Sequence, residues 1–116
     1  MSATDDVRTS EPPISAIREV IEEGLDATRI LPPYERLVEL DKMLRAELDR
    51  LMPIVQQHTD TLDPGTVQRY GQQCVLDDTR EVLARDLGVG LRSAAVQVHR
   101  LARHCLWLTK DVEEQS

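Results

Sequence analysis

The stretch Leu37-Val38-Glu39-Leu40-Asp41-Lys42-Met43-Leu44-Arg45-Ala46-Glu47-Leu48-Asp49-Arg50-Leu51-Met52-Pro53-Ile54-Val55 decides the fold. Its residues Leu37, Leu40, Leu44, Leu48, Leu51 and Val55 follow one another at gaps of 3, 4, 4, 3 and 4. An α-helix turns once per 3.6 residues, so all six fall on one stripe. Around them lie Arg36, Glu39, Asp41, Lys42, Arg45, Glu47, Asp49 and Arg50, a mixed-sign face suited to water. A stripe this apolar must be covered by other helices. Pro32-Pro33 places the helix start at Pro33 or Tyr34, where a proline ring is tolerated, and Glu35 suits the positive end of the dipole. Pro53 predicts a kink rather than a stop, because Ile54 and Val55 carry the apolar sequence past it.

Working outward, Ile14, Ile17, Ile21 and Leu25 form the stripe of a shorter first helix, with Arg18, Glu19, Glu22 and Glu23 on its other face and Gly24 weakening its end. After the central helix, Asp63-Pro64 reads as an N-cap and first helical residue. The third helix buries Val67, Tyr70, Cys74, Val75, Val82 and Leu83, interrupted by Gln72, Gln73, Asp77 and Asp78, and ends at Gly88-Val89-Gly90. The fourth has the most regular stripe, Leu91, Ala94, Val98, Leu101, Cys105, Leu108 and Val112, flanked by the small Ala95 and Ala102 that permit close approach. With no strand candidate between them, these helices predict an all-α, antiparallel up-down-up-down four-helix bundle. The alternative is a three-helix core crossed by the short first helix. The bundle spans residues 14–112, between a disordered acidic tail at 1–13 and a disordered C-terminus at 113–116.

Composition narrows the function classes. The 116 residues hold 21 acids and 14 bases, a net charge of −7, which opposes a phosphate-binding surface and predicts no nucleic-acid partner. No apolar run reaches the roughly 20 residues of a membrane span, and Met1–Pro13 has neither a basic start nor an apolar secretion segment. The expectation is a cytoplasmic protein with no membrane contact, its Cys74 and Cys105 reduced and buried.

The run Leu31-Pro32-Pro33-Tyr34-Glu35-Arg36-Leu37, with Leu40, Leu44-Arg45, Leu51 and Pro53-x-Val55, resembles a family of small uncharacterised actinobacterial helical proteins often labelled "natural product biosynthesis protein". Gly88-x-Gly90-Leu91, Ala94 or Ala95, His99 and Leu101-Ala102-Arg103 are similar to that family's closing helix. The resemblance covers roughly residues 30 to 108 and implies an association with secondary-metabolite genes, without an active site. Ala46-Glu47 departs from it, standing where a Gly-His pair is common, so any role of that histidine is missing here.

Candidate chemistry is sparse. Di-iron bundles use Glu-x-x-His pairs, which this sequence lacks. His99 and His104 sit about 140° apart around a helix, and His58 is distant, so the histidines read as surface residues with no metal or cofactor. The cysteines lie in apolar patterns that leave a thiol inert. Asp78 shares a face with Cys74, Val75 and Val82 and reads as an ion-pair partner of Arg80 or Arg45, or as an acid or base. Gly88-Val89-Gly90 lacks the further glycine and Lys-Ser/Thr of a phosphate loop and reads as a turn.

Helix four is basic, with Arg92, His99, Arg100, Arg103, His104 and Lys110 and no acid from Leu91 to Lys110, whereas residues 1–26 hold seven acids. The first helix satisfies this asymmetry either within one chain or between chains. Trp107 falls one residue off the buried stripe, as an interface aromatic or as a cover for the bundle end near Tyr34 or Tyr70. The expectation is a non-enzymatic interaction protein with Arg100, Arg103, His104 and Trp107 as contacts and a protein partner, a homodimer being one form of it. The alternative is a ligand-binding or catalytic bundle with a pocket at Tyr70, Cys74 and Asp78.

Overall fold

The computed structural model describes residues 14–115, with side chains from residue 16 onward. The segment read as an acidic tail, and Ser116, lie outside the described residues. Four helices follow in order, α1 (Ile14–Leu25), α2 (Tyr34–Asp60), α3 (Val67–Leu83) and α4 (Leu91–Gln115). The α2 stripe is buried along its whole length, and the helix runs unbroken through Pro53. The α4 stripe is buried from Ala94 to Leu108, together with Ala95 and Ala102. Leu91 at the first turn is exposed and Val112 near the last is half-buried. At its other end α4 continues past Val112, where the sequence reading stopped, to Gln115. Gln115 Nε2 donates to Asp111 Oδ2 at 2.7 Å there.

Cross-helix contacts give the directions. Gln56 and Thr59 meet Gln73 and Gln72, while Arg45 meets the carbonyls of Leu83 and Arg85, so α2 and α3 are antiparallel. Asp111 meets Gln72 and His104 meets Thr79, so α3 and α4 are antiparallel too. Arg18 meets Glu113 and the Leu25 carbonyl meets His99, which sets α1 antiparallel to α4. The result is an up-down-up-down four-helix bundle. Its central pair is α2 and α4, while α1 and α3 lie on opposite sides and do not touch among the described residues.

Gly24 explains how α1 lies so close. A Cβ at that position would stand 2.8 Å from Ala102 Cβ and 3.2 Å from Leu44 Cδ1. What reads in sequence as a weak helix end is the point where α1 touches both central helices.

Helix α3 departs most from expectation. Asp63 is not its cap. Pro64 and Gly65, with φ of +85° at the glycine, form a tight turn closed by Thr66 N to Asp63 O at 3.4 Å. Thr66 is the cap, its hydroxyl accepting from Arg69 N at 3.2 Å. At the other end α3 stops at Leu83, well before Gly88. Its terminal carbonyls are taken by side chains: Arg45 Nη1 donates to Leu83 O at 2.7 Å and Gln97 Nε2 to Val82 O at 2.9 Å. The inward face is Leu76, Thr79 and Val82, so Val67 and Tyr70 are 88% and 74% exposed and Cys74 only half-buried. No helix of the described residues is long and apolar enough to cross a membrane.

Candidate functional site

The outer face of α4 carries Arg92, Val96, Arg100, Arg103, Trp107 and Lys110, spaced 4, 4, 3, 4 and 3 apart. At 100° per residue they lie within about 80° of one another, a single strip. All six are exposed. The strip exists because the faces on either side are used: Val98 and Ala102 lie against α1 at Gly24, and His104 meets α3 at Thr79. Among the described residues, none of its four cations makes an ion pair. The one ion pair between α1 and α4 there runs the other way, Arg18 of α1 to Glu113 of α4 at 3.3 Å. Helix α1 thus packs beside α4 within the chain without neutralising its bases.

Trp107, 41% exposed, is held in place from two sides. The Arg103 guanidinium lies 4.9 Å from the centre of its ring, a cation–π contact. The His104 ring meets it edge-on at 5.0 Å. Beside the indole, Val55, Gln72, Val75, Leu108 and Asp111 line a cleft of about 110 Å³ where α2, α3 and α4 converge. Its polar wall is tied down, with Gln72 Nε2 donating to Asp111 Oδ1 at 2.7 Å. Neither tyrosine lies under Trp107: Tyr34 OH donates to the Gly88 carbonyl, and Tyr70 lines a separate depression.

His104 is not a surface contact, correcting the sequence reading. It is 7% exposed, with Nδ1 2.7 Å from Thr79 Oγ1. Thr79 Oγ1 also lies 2.7 Å from Val75 O, to which its single proton goes, so His104 donates from Nδ1. Threonine is β-branched like valine and fits the apolar register of α3, which is how a buried polar site hides in that pattern. Burial lowers the His104 pKa from 6.5, the Asp78 charge opposes this, and Arg103 adds to it. The fold therefore prefers neutral His104, while the unfolded chain binds the proton more readily below pH 6.5. Stability should be full above that pH and decline as the pH drops through the depressed folded value. Melting temperatures from pH 8 to 5.5 should fall for wild type and fall less for His104→Gln, whereas equal slopes would clear His104 of this role. Glu23, whose pKa the Arg36 hydrogen bond lowers from 4.5, acts only in more acid solution.

His99 is also engaged, its Nδ1 donating to the Leu25 carbonyl at 2.9 Å and capping α1. Glu47, where the resemblance has a histidine, is buried and bonded to Arg50 at 2.6 Å.

Neither cleft described among these residues joins Tyr70, Cys74 and Asp78, where the sequence places a pocket. Tyr70 borders an open depression of about 490 Å³ with Gly65, Thr66, Val67, Arg69 and Gln73, and neither Cys74 nor Asp78 lines it. Asp78 is exposed, because Thr79 rather than Asp78 occupies the inward register. Arg80 pairs with Asp77 at 3.0 Å and Arg45 with Asp41 at 2.9 Å. The Cys74 contact pushes the Tyr70 phenol upward, away from ionisation. Burial and, second, Glu47 push the Cys105 thiol far up. Among the described residues no three His, Cys, Asp or Glu side chains are grouped to hold a metal.

No curated protein and no solved structure matches this chain. Residues 15–116 match the model of a family of unknown function, DUF6415, and since that is nearly the whole folded chain, the protein belongs to this family.

Proposed function

We propose that this protein is a non-enzymatic association module that docks a protein partner on the outer strip of α4. The observation that carries this reading is Trp107, an exposed indole held by Arg103 and His104 in a strip whose four cations make no ion pair among the described residues. Rigid Trp with adjacent Arg is the composition of interface hot spots, where little side-chain entropy remains to be lost on binding. The residues with chemical potential support the same reading, since His104, His99 and Cys105 are committed to the interior or to a helix end. The strip favours an acidic partner surface. The resemblance to proteins labelled for natural product biosynthesis extends the proposal to an accessory role in such a pathway.

Affinity capture from the native host, compared by mass spectrometry across wild type, Trp107→Ala and Arg103→Glu, tests this. Loss of a hot-spot tryptophan costs about 2 kcal/mol or more, so the partner should drop by at least about tenfold for each variant. Recovery of the same proteins at the same yield by both variants would overturn the assignment.

A further inference from the structure

We infer that the partner fitting the α4 strip is a second copy of this chain, an inference that rests on the docking role of α4. Helix α1 lies beside the strip and carries Glu19 and Glu22, both exposed and, among the described residues, outside any ion pair. Among the described residues, Glu19 and Glu22 of α1 and the four cations of the strip on α4 thus stand on adjacent helices without pairing with each other.

Symmetry selects how two such faces meet. Strip against strip would oppose four cations with four cations. A two-fold axis between α1 and α4 instead lays α1 of each copy on α4 of the other, so the same attractive contact forms twice and the assembly closes. The antiparallel setting of α1 on α4 makes the register workable. Gly24 lies against Ala102 and Val98, and α1 runs from there towards Glu113, which Arg18 reaches, so Glu19 and Glu22 fall within the stretch of α4 that holds Arg100, Arg103, Trp107 and Lys110. Two-fold reversal about the middle of that stretch keeps the acids of one copy opposite the bases of the other. With α1 about 18 Å long and a helix about 10 Å wide, the paired faces bury about 700 Å² in total, the size of a weak contact that needs high protein concentration to fill. The dimer is accordingly salt-sensitive, its exposed charges screened as ionic strength rises.

Sedimentation equilibrium of the purified full chain tests this, at about 200 μM and low salt, with circular dichroism checking each variant's fold. The wild-type mass should rise from 13.2 kDa towards twice that value and return to the monomer in molar salt. Arg100→Glu with Arg103→Glu, and separately Glu19→Arg with Glu22→Arg, should each remain monomeric. An equal mixture of the two charge-swapped proteins restores attraction at both contacts and should recover the dimer mass. A monomeric wild type, variants that dimerise as wild type does, or a mixture that stays monomeric would each overturn self-association. Trp107-dependent capture of a different protein in any of those cases would give the strip to that protein and leave the docking role of α4 standing.

Discussion

Replacing Leu44 by alanine should lower the unfolding free energy by about 2–5 kcal/mol, the largest loss expected from any single truncation discussed for this bundle. Leu44 is buried at the centre of α2, with its Cδ1 against the site of Gly24 on α1 and its carbonyl accepting from Cys105 Sγ on α4 at 3.5 Å. Three helices therefore border the space that the missing methyl groups would leave. They cannot all close on it, because α1 is already at contact distance from Ala102 and moving it inward would drive backbone into that methyl group. A domain of this size is stabilised by about 5–15 kcal/mol, so this one change removes a large share. Urea titration should show a lower midpoint with an unchanged slope. A loss below about 1 kcal/mol would show that α1 does collapse into the space.

Gly24→Val should destabilise by about 3 kcal/mol, although in an exposed helix replacing glycine would be favourable or neutral. The sign is set by distance. The first added carbon would stand 2.8 Å from Ala102 Cβ, a rigid atom, and 3.5 Å from Val98 Cγ1, and valine then adds two methyl groups to that crowded side. Ala102 cannot rotate away, so α1 must lift from the central pair. Lifting it also strains the His99 bond to Leu25 and the Arg18 pair with Glu113. Combining Gly24→Ala with Ala102→Gly exchanges the methyl group across the interface and should recover much of what Gly24→Ala alone loses. Thermal unfolding reads both, at about 4–8 °C per kcal/mol for a domain near this size. An unchanged melting temperature for Gly24→Val would mean that α1 does not lie where the structure places it.

The parts legible in the sequence are those governed by repetition. The stripes of α2 and α4 are long, with every apolar position spaced for a helix, and their burial follows from that spacing. The strip with Arg100, Arg103 and Trp107 is legible for the same reason, as the face left over. In α3 the spacing favours Val67, Tyr70 and Cys74, whereas the fold buries Leu76 and Thr79. Two overlapping registers coexist there, and a threonine that bonds its own helix backbone is as easily buried as valine. The ends of α3 are not legible either, since Asp63-Pro64 and Gly88-Val89-Gly90 are good local signals that lose to a turn at Gly65 and to donors from Arg45 and Gln97.

His104 shows the division within the site itself. Its place in a basic run suggests exposure, but the rotation of α4 that buries Leu101, Cys105 and Leu108 carries it onto Thr79. The sequence by itself determined that four amphipathic helices must pack, because periodic apolar stripes leave no other way to remove them from water. Only the tertiary structure decided that α2 and α4 form the centre, that Gly24 is a point of contact, and that His104 braces Trp107 from beneath. Those outcomes depend on which faces meet at what distance, a property of pairs of helices that spacing along a single one does not contain.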